Sequence, residues 1–568
     1  YDTDRNIAEI IDMAKKIEGN VRHISVHAAG VVIAPTGHAD DFTPLQYDTK
    51  GDNKVITQYD MYSGGRDGVV NLPKFDLLGL RNLNFIAETV DRVKKIRGID
   101  IDMDNLPLGD TKTFEMLARG ETMGVFQMAS DGMTKHIKDL KPSKIEDIMA
   151  MVALYRPGPM DVIPEYIARK ENPSLITYPD PRLSEYLKAS YGLLVYQDDV
   201  LMTAIILAGY DWLDADKFRK AMGKKIPAEM EEQKAKFYKG CTEKGGLTKT
   251  AIDSLWEKIE PFAAYGFNKA HAASYGQLAY KTAYLKANYS AEYMSACMTA
   301  ESGDIETVSD YIAEAKRMGF VILPPDINES FSDFTVVVEN GTITNKIRFG
   351  LNSIKNFGTE IGKAIIHERK ENGHYTGITD FLQRVLHKNL NKKSLEALIM
   401  TGAFDTLGER GVMIGNIDEM LKFNSELRRE NESSQTSLFA GFGDVLPTGT
   451  LTMDMTIPPA SQKQKLLWEK ELLGLYVSGH PLDEFSDLLS AAKQSIKDLL
   501  TSERLPGTTA IAGIVLEIRE IFTKKHNDKM AFVKIADLTG TMEAVVFPKT
   551  FDDVRRLLVV DKLVMASG

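Results

Sequence analysis

"AYGFNKAHAASYGQLAYKTAYLKANY", residues 264 to 289, is the stretch on which the reading of this chain turns. Its spacing predicts a helix with Lys269 and His271 near the start and Tyr275 about one turn further on. Small residues follow, so another surface can approach the helix closely. Cations near a helix N-terminus oppose the macrodipole unless an anion sits there. A phosphate would be such an anion, with Tyr275 stacked on a base. A surface-exposed helix start with a packed tyrosine is the other reading, and these residues leave both open.

A second stretch, "NLPKFDLLGL" (71–80), sets one lysine and one aspartate in a run otherwise built to be buried. As a strand it alternates with a period of two, so Lys74 and Asp76 share one face while Phe75 and Leu77 share the other. The pair is either a strand-edge ion pair or a metal-binding carboxylate beside a phosphate-binding lysine. A third stretch, "KFRKAMGKK" (217–225), holds five basic residues and no acid. On a helix Lys217, Lys220 and Lys224 share one face, either solvated or set against phosphates.

The 568 residues are enough for about four domains with ample core. Hydrophobic residues at 43% and charged residues at 26% are those of a globular protein, which excludes gross disorder. Two cysteines, Cys241 and Cys297, give no disulfide framework and no zinc-ligand spacing, and read as buried small residues in a reducing cytosol. The longest apolar runs, "IMAMVALY" and "VLMTAIILAGY", are of core-helix length, short of the roughly 18 residues that cross a bilayer. "YDTDRNIAEI" is no signal peptide, and both chain ends cut through element-like patterns, so a piece of a longer protein is expected. A net charge of -11 argues against a generic polyanion binder and leaves each basic cluster to be judged singly.

Residues 1–25 read as the end of a helix, with Ile10, Ile11, Met13, Ala14 and Ile17 on an apolar side. "HAAGVVIAPT", "KVITQYD" and "LPKFDLLGL" are short β runs, expected to form one small sheet over 26–80. Residues 81–330 read as mostly helical, broken at "RPGPM", "NPSLITYPDPR" and "ILPPDIN". In "KIRFGLNSIKNFGTEIGKAI" (346–365) a strand leads into a helix, a tight turn at Asn356-Phe357-Gly358 and another helix. That is either a helix-hairpin-helix, whose amides hold a DNA phosphate, or a plain helical hairpin. Residues 425–467 read as an exposed linker. "TAIAGIVLEIREIFTKKHNDKMAFVKIADLTGTMEAVVFP" (509–548) gives three β runs, the first strands of an OB-type barrel. Its first loop would carry Lys524, Lys525 and Lys529, where such barrels touch single-stranded nucleic acid.

In this order, "HAAGVVIAPT", "LPKFDLLGLRNL", "ETMGVFQMASDGM", "MVALYRPGPM", "YGLLVYQDDVL", "FRKAMGKK", "YGFNKAHAASY" and "LPPDIN" resemble the alpha subunits of bacterial DNA polymerase III, the C-family replicative polymerases. The resemblance runs from about residue 10 to the C-terminus. It implies a multidomain α/β and α fold: the end of a thumb helix (1–25), a palm remnant with a partial sheet (26–80) and large, mostly helical fingers (81–330). A helix-hairpin-helix and clamp-binding region (331–424), the linker (425–467), a connecting helical segment (468–506) and a partial OB-type barrel (507–568) complete it.

The activity implied is template-directed DNA synthesis. A primer 3′-hydroxyl attacks the α-phosphate of a dNTP and pyrophosphate leaves, with two Mg2+ ions held by three aspartates. Asp76 matches the third of those aspartates and Lys74 the lysine beside it. Arg156, Arg219, Lys220, Asn268, Lys269, His271 and Tyr275 fall in motifs that resemble those around the incoming nucleotide. Lys224, Lys225, Asn356, Gly358, Lys524, Lys525 and Lys529 are the expected DNA contacts. "QTSLF" (435–439) resembles the peptide by which the family docks on the sliding clamp, with Gln435 as polar anchor and Leu438 and Phe439 as apolar plugs. Primer-template DNA, dNTPs, the clamp and other replicase subunits are the implied partners, with no membrane and a cytoplasmic location.

The family's first two catalytic aspartates form an Asp-x-Asp pair in a palm segment that falls upstream of residue 1 here, so this chain alone is expected to be catalytically silent. "GIDIDMDNL", with Asp100, Asp102 and Asp104, follows Asp76 instead of preceding it, and reads as a loop. It also fails as a calcium loop, because Asn105 stands for the needed glycine and Thr111 for the terminal glutamate. A non-catalytic DNA-binding scaffold derived from such a polymerase is the alternative. An enzyme using His27 or His271 as general base lacks a recognisable nucleophile.

Overall fold

The computed structural model describes residues 5–20, 23–48, 51, 53–60, 70–224, 227–263, 266–432, 451–483, 495–501, 507–523, 528–537, 540–560 and 562–568. Its contacts divide the chain into two units, residues 1–83 and 84–568.

In the first unit the Arg5–Ile17 helix has the apolar side its spacing predicts, yet none of its residues is buried. Four three-residue strands follow: β1 (Gly30–Val32), β2 (Leu45–Tyr47), β3 (Val55–Thr57) and β4 (Lys74–Asp76). They form two antiparallel pairs, β1 with β4 and β2 with β3, in place of the one sheet expected. Strands this short offer few ladder bonds with which to recruit a third neighbour. Phe75 and Leu77, on the face opposite Lys74 and Asp76, are exposed where the apolar run predicted burial, because among the described residues no second layer covers this two-stranded ribbon.

The second unit is mostly helical through residue 317, as read. The Lys269–Asn288 helix begins where expected, with Asn268 as its cap. Its small residues do admit a neighbour: a Cβ on Gly276 would stand 2.6 Å from Cγ and 3.2 Å from Cα of Met149, so the crossing with the Ile145–Leu154 helix requires glycine. Lower on the same helix the buried Lys286 ammonium donates to the Glu121 carbonyl at 3.0 Å, the Met123 carbonyl at 2.8 Å and Glu314 Oε1 at 2.5 Å. Three acceptors offset the cost of burying that charge.

One apolar core runs from Phe85 through Tyr293, Phe349 and Phe404 to Leu473. It includes a small sheet of β5 (Val321–Leu323), β6 (Thr335–Glu339) and β7 (Thr342–Arg348) in the order β5-β7-β6. A second core gathers Phe218, Phe237 and Trp256 between the helices of residues 197–263. Cys241 and Cys297 are free and buried, as their spacing implied.

The turn read at 356–358 is present, and its left-handed residue is not the glycine. Asn356 takes the left-handed conformation at φ 66°, whereas Gly358 is extended at φ -87° and caps the Thr359–Asn372 helix. A Cβ on Gly358 would meet only Ile361 at 3.9 Å, so glycine is not sterically demanded there. The stretch read as an exposed linker is ordered at both ends. The Ile417–Glu432 helix enters it, Leu451 and Met453 lie on the large core, and the Gln462–Leu473 helix buries Leu466 and Glu469. Polar composition concealed the apolar spacing of those few anchors.

At the C-terminus β8 (Ala510–Phe522), β9 (Lys529–Ala536), β10 (Thr541–Val546) and β11 (Leu563–Ser567) form an antiparallel sheet in the order β10-β9-β8-β11. The Pro548–Val554 helix between β10 and β11 sends Phe551 into the core beside Val515 and Val533. Helix and fourth strand extend the three runs read from sequence. Among the described residues no helix is long and apolar enough to cross a membrane.

Candidate functional site

In the first unit the antiparallel register sets Asp76 opposite Gly30 and Lys74 opposite Val32. Period-two geometry then does what was expected: Lys74 Nζ lies 2.5 Å from Asp76 Oδ1. His27 Nδ1 stands 3.8 Å from the same oxygen, and a Cβ on Gly30 would press on the His27 ring at 3.1 Å. The Lys74 hydrogen bond holds the Asp76 carboxyl below the usual carboxylate range, so it is ionised and half exposed at neutral pH. A lone exposed carboxylate is hard-donor chemistry of the kind Mg2+ takes. Among the described residues no group of three His, Cys, Asp or Glu that could bind a metal stands with it.

Asp100, Asp102 and Asp104 are committed elsewhere. Asp100 pairs with Lys94 at 2.9 Å, Asp104 with Lys281 at 3.0 Å, and Asp102 accepts from Asn105 at 2.7 Å. Asp2-Thr3-Asp4, which has an Asp-x-Asp spacing, lies outside the described residues.

In the second unit five of the seven residues expected around a nucleotide converge. Asn268 Oδ1 accepts the His271 amide at 2.9 Å. The His271 and Tyr275 ring centres lie 3.9 Å apart with the planes tilted by 32°, and Tyr275 leans on Phe126 at 5.1 Å. On the other side His271 meets Phe267 edge-on at 5.1 Å, and the Arg156 guanidinium covers Phe267 at 3.9 Å. Burial lowers the Arg156 pKa, and its Nε is buried without a hydrogen-bond partner among the described residues. Lys269 Nζ lies over the Tyr196 ring at 5.5 Å.

The anion at this helix start is a side chain. Asp198 Oδ2 accepts the Lys269 amide at 3.0 Å, and with the Asn268 cap it occupies two of the first amides. A phosphate here would therefore be held by side chains such as Arg156 and Lys269. Asp198, Tyr196 and Phe267 had no local signal of this role. They arrive through a bridge between Tyr196 and Phe267, seventy-odd residues apart in sequence.

Next to Asp198, burial pushes the Asp199 carboxyl up to about 6, although it accepts the Val195 and Tyr196 amides, both at 2.8 Å. The folded value lies above the ordinary 3.8, so between these two values the folded state keeps a proton that the unfolded chain has released. Stability must therefore fall as pH rises through that window. Protection of the Gln197–Ala208 amides, taken relative to their intrinsic exchange rate at each pH, is expected to fall across it, and Asp199→Asn to remove that fall. An unchanged pH profile in the variant would clear Asp199 of it.

Arg219 and Lys220 are not part of this cluster. Both sit on the Trp212–Lys224 helix, paired to Asp216 at 2.8 Å and 3.0 Å. Lys224 ends that helix and Lys225 lies outside the described residues. Asn356 and Gly358 are exposed at the start of the Thr359–Asn372 helix. Lys529 pairs with Glu520 at 3.3 Å on β8, while Lys524, Lys525, Gln435, Leu438 and Phe439 lie outside the described residues.

Comparison with known proteins follows the same division. The model of the bacterial DNA polymerase III alpha subunit finger domain matches residues 82–245, and that of the subunit's NTPase domain matches 1–79. A helix-hairpin-helix motif matches 319–412 and an OB-fold nucleic acid binding domain 509–568. The DNA polymerase III subunit alpha of Thermus aquaticus is 40% identical over 98% of this chain and 45% of its own length. That of Borreliella burgdorferi is 40% identical over 99% of the chain and 48% of its own, and that of Aquifex aeolicus 38% over 99% and 46%. The chain spans less than half the length of these relatives. Aligned through nearly all of its residues at such identity, it belongs to the family of bacterial DNA polymerase III alpha subunits.

Proposed function

We propose that this chain is the nucleotide-gripping and DNA-gripping part of a replicative DNA polymerase, a DNA-directed nucleotidyltransferase that adds dNTPs to a primer 3′-hydroxyl during chromosomal replication. The observation that carries the reading is the row Arg156, Phe267, His271, Tyr275 at a capped helix start: a cation for a triphosphate beside a run of aromatic rings for a base. Asp76 is one Mg2+ ligand of an incomplete set, and Lys74 orients it. DNA lies along the helix-hairpin-helix and OB regions, and the sliding clamp takes Gln435, Leu438 and Phe439. Other replicase subunits complete the assembly, in the cytoplasm.

A second reading, a DNA-binding scaffold without chemistry, is favoured by the ion pair that Asp76 already makes with Lys74. The two part company in one experiment. This chain is expected to bind primer-template and a dNTP yet show no Mg2+-dependent extension. Arg156→Ala is expected to weaken dNTP binding about tenfold, the worth of roughly one charge-assisted contact. Extension by the chain would refute its silence and make Asp2 and Asp4 the first carboxylates to test. Loss of Arg156 without effect on dNTP binding, with DNA binding intact, would leave the scaffold.

A further inference from the structure

The Trp212–Lys224 helix has a face that the nucleotide cluster does not use. Ala215, Phe218 and Ala221 turn into the core, and the opposite arc is solvent. On that arc Trp212 is 68% exposed and Leu213 65% exposed, two large apolar side chains together at a helix start. Helical spacing puts Leu213, Lys217 and Lys220 on one stripe, with Lys224 next in register, and Trp212 and Asp216 on the adjoining one. Lys217 is exposed and has no ion-pair partner among the described residues. Of the acids on and beside this helix, Asp216 pairs with Arg219 and Lys220 and Asp214 with Lys236 at 2.6 Å, while Asp211 accepts the Asp214 amide at 2.7 Å.

A flat indole beside one unpaired cation, Lys217, with Lys220 on the same stripe, suits a chain of bases and phosphates better than it suits a protein. Docked protein helices need an apolar groove, and this arc is convex and mostly basic beyond its first turn. We propose that this face binds single-stranded DNA, an unpaired base lying on the Trp212 indole, Leu213 against the adjoining sugar, and a phosphate at Lys217. The inference rests on the polymerase reading above and deepens it, since the unpaired stretch of a primed template is the single strand such a protein meets. Stacking on any base tolerates all sequences, as copying an arbitrary template requires.

The chain has three tryptophans; Trp256 is buried and Trp468 half-buried, so Trp212 dominates any fluorescence response to a surface ligand. Intrinsic emission would be followed while adding a primer-template with a 5′ single-stranded overhang, a blunt duplex, or oligothymidine. Quenching by the overhang and by oligothymidine, but not by the blunt duplex, is expected. Trp212→Ala should weaken overhang binding at least about fivefold and leave blunt-duplex binding alone, while Trp212→Phe keeps most of the affinity. Lys217→Gln should lower the salt slope of oligothymidine binding by about 0.7. Because these side chains are exposed, all three variants should fold as the parent does. Duplex binding with no response to Trp212 would overturn the proposal and point to a protein partner for this face. Absence of binding to any DNA would overturn the polymerase reading with it.

Discussion

Glu469→Ala is expected to destabilise the segment that joins the helix-hairpin-helix region to the 462–473 helix by about 3–5 kcal/mol, the cost of breaking a buried ion pair from one side. Glu469 is fully buried on the Gln462–Leu473 helix, and Oε1 meets Arg410 Nη1 at 2.8 Å while Oε2 accepts the Val477 and Ser478 amides at 2.9 Å and 2.8 Å. Arg410 is 1% exposed, and Asp405 shares its charge at 2.7 Å. Alanine at 469 would leave two amides without an acceptor and unbalance the guanidinium. Glu469→Gln keeps an acceptor for the amides and should lose less. A chain of several domains does not unfold in one step, so the readout is hydrogen exchange in the 392–400 and 462–473 helices. Exchange within about 0.5 kcal/mol of the parent would mean that the pair contributes nothing net.

The other large effect is expected at Asp147→Ala. Asp147 is wholly buried on the Ile145–Leu154 helix, which leads directly to Arg156. Oδ1 accepts the Tyr166 and Tyr191 hydroxyls at 3.2 Å and 3.1 Å; Oδ2 accepts the Ser143 amide at 3.0 Å and faces Lys170 Nζ at 3.2 Å. Burial raises both tyrosine pKa values, so each hydroxyl stays protonated and donates. Removing the carboxylate strands two hydroxyls and the Ser143 amide and leaves the Lys170 charge with only the Leu140 and Lys141 carbonyls, for a loss of about 3–5 kcal/mol. Asp147→Asn retains Oδ1 as an acceptor and should lose about 1–3 kcal/mol. Exchange in the 163–171 helix reads the stability, and dNTP affinity reads whether Arg156 has moved. A stable Asp147→Ala protein with weakened dNTP binding would separate position from stability. A stable one with normal binding would refute the role given to Asp147.

Much of the site was legible because it is local. The Lys74–Asp76 contact follows from period two, and Asn268, Lys269, His271 and Tyr275 follow from one helix start. Their partners were not legible. Asp198 reaches the Lys269 amide beside a bridge that joins Tyr196 to Phe267 from segments distant in sequence, and Arg156 reaches Phe267 from the end of a different helix. The two-pair arrangement of the short strands, the ordered ends of the supposed linker and the exposure of Phe75 were misread for a related reason. Each depends on what lies across from the residues, which alternation and composition do not encode.

The sequence by itself determined the elements, the order of the regions and the chemistry available to them, since helix period, caps and ordered motifs are properties of neighbouring residues. Only the tertiary structure decided which charges were already spent. Asp198 fills the helix start that a phosphate was expected to fill, Asp216 ties up Arg219 and Lys220, and Lys217 and Trp212 are left to solvent. Pairing energies act through space over a few ångströms, and sequence distance says little about those.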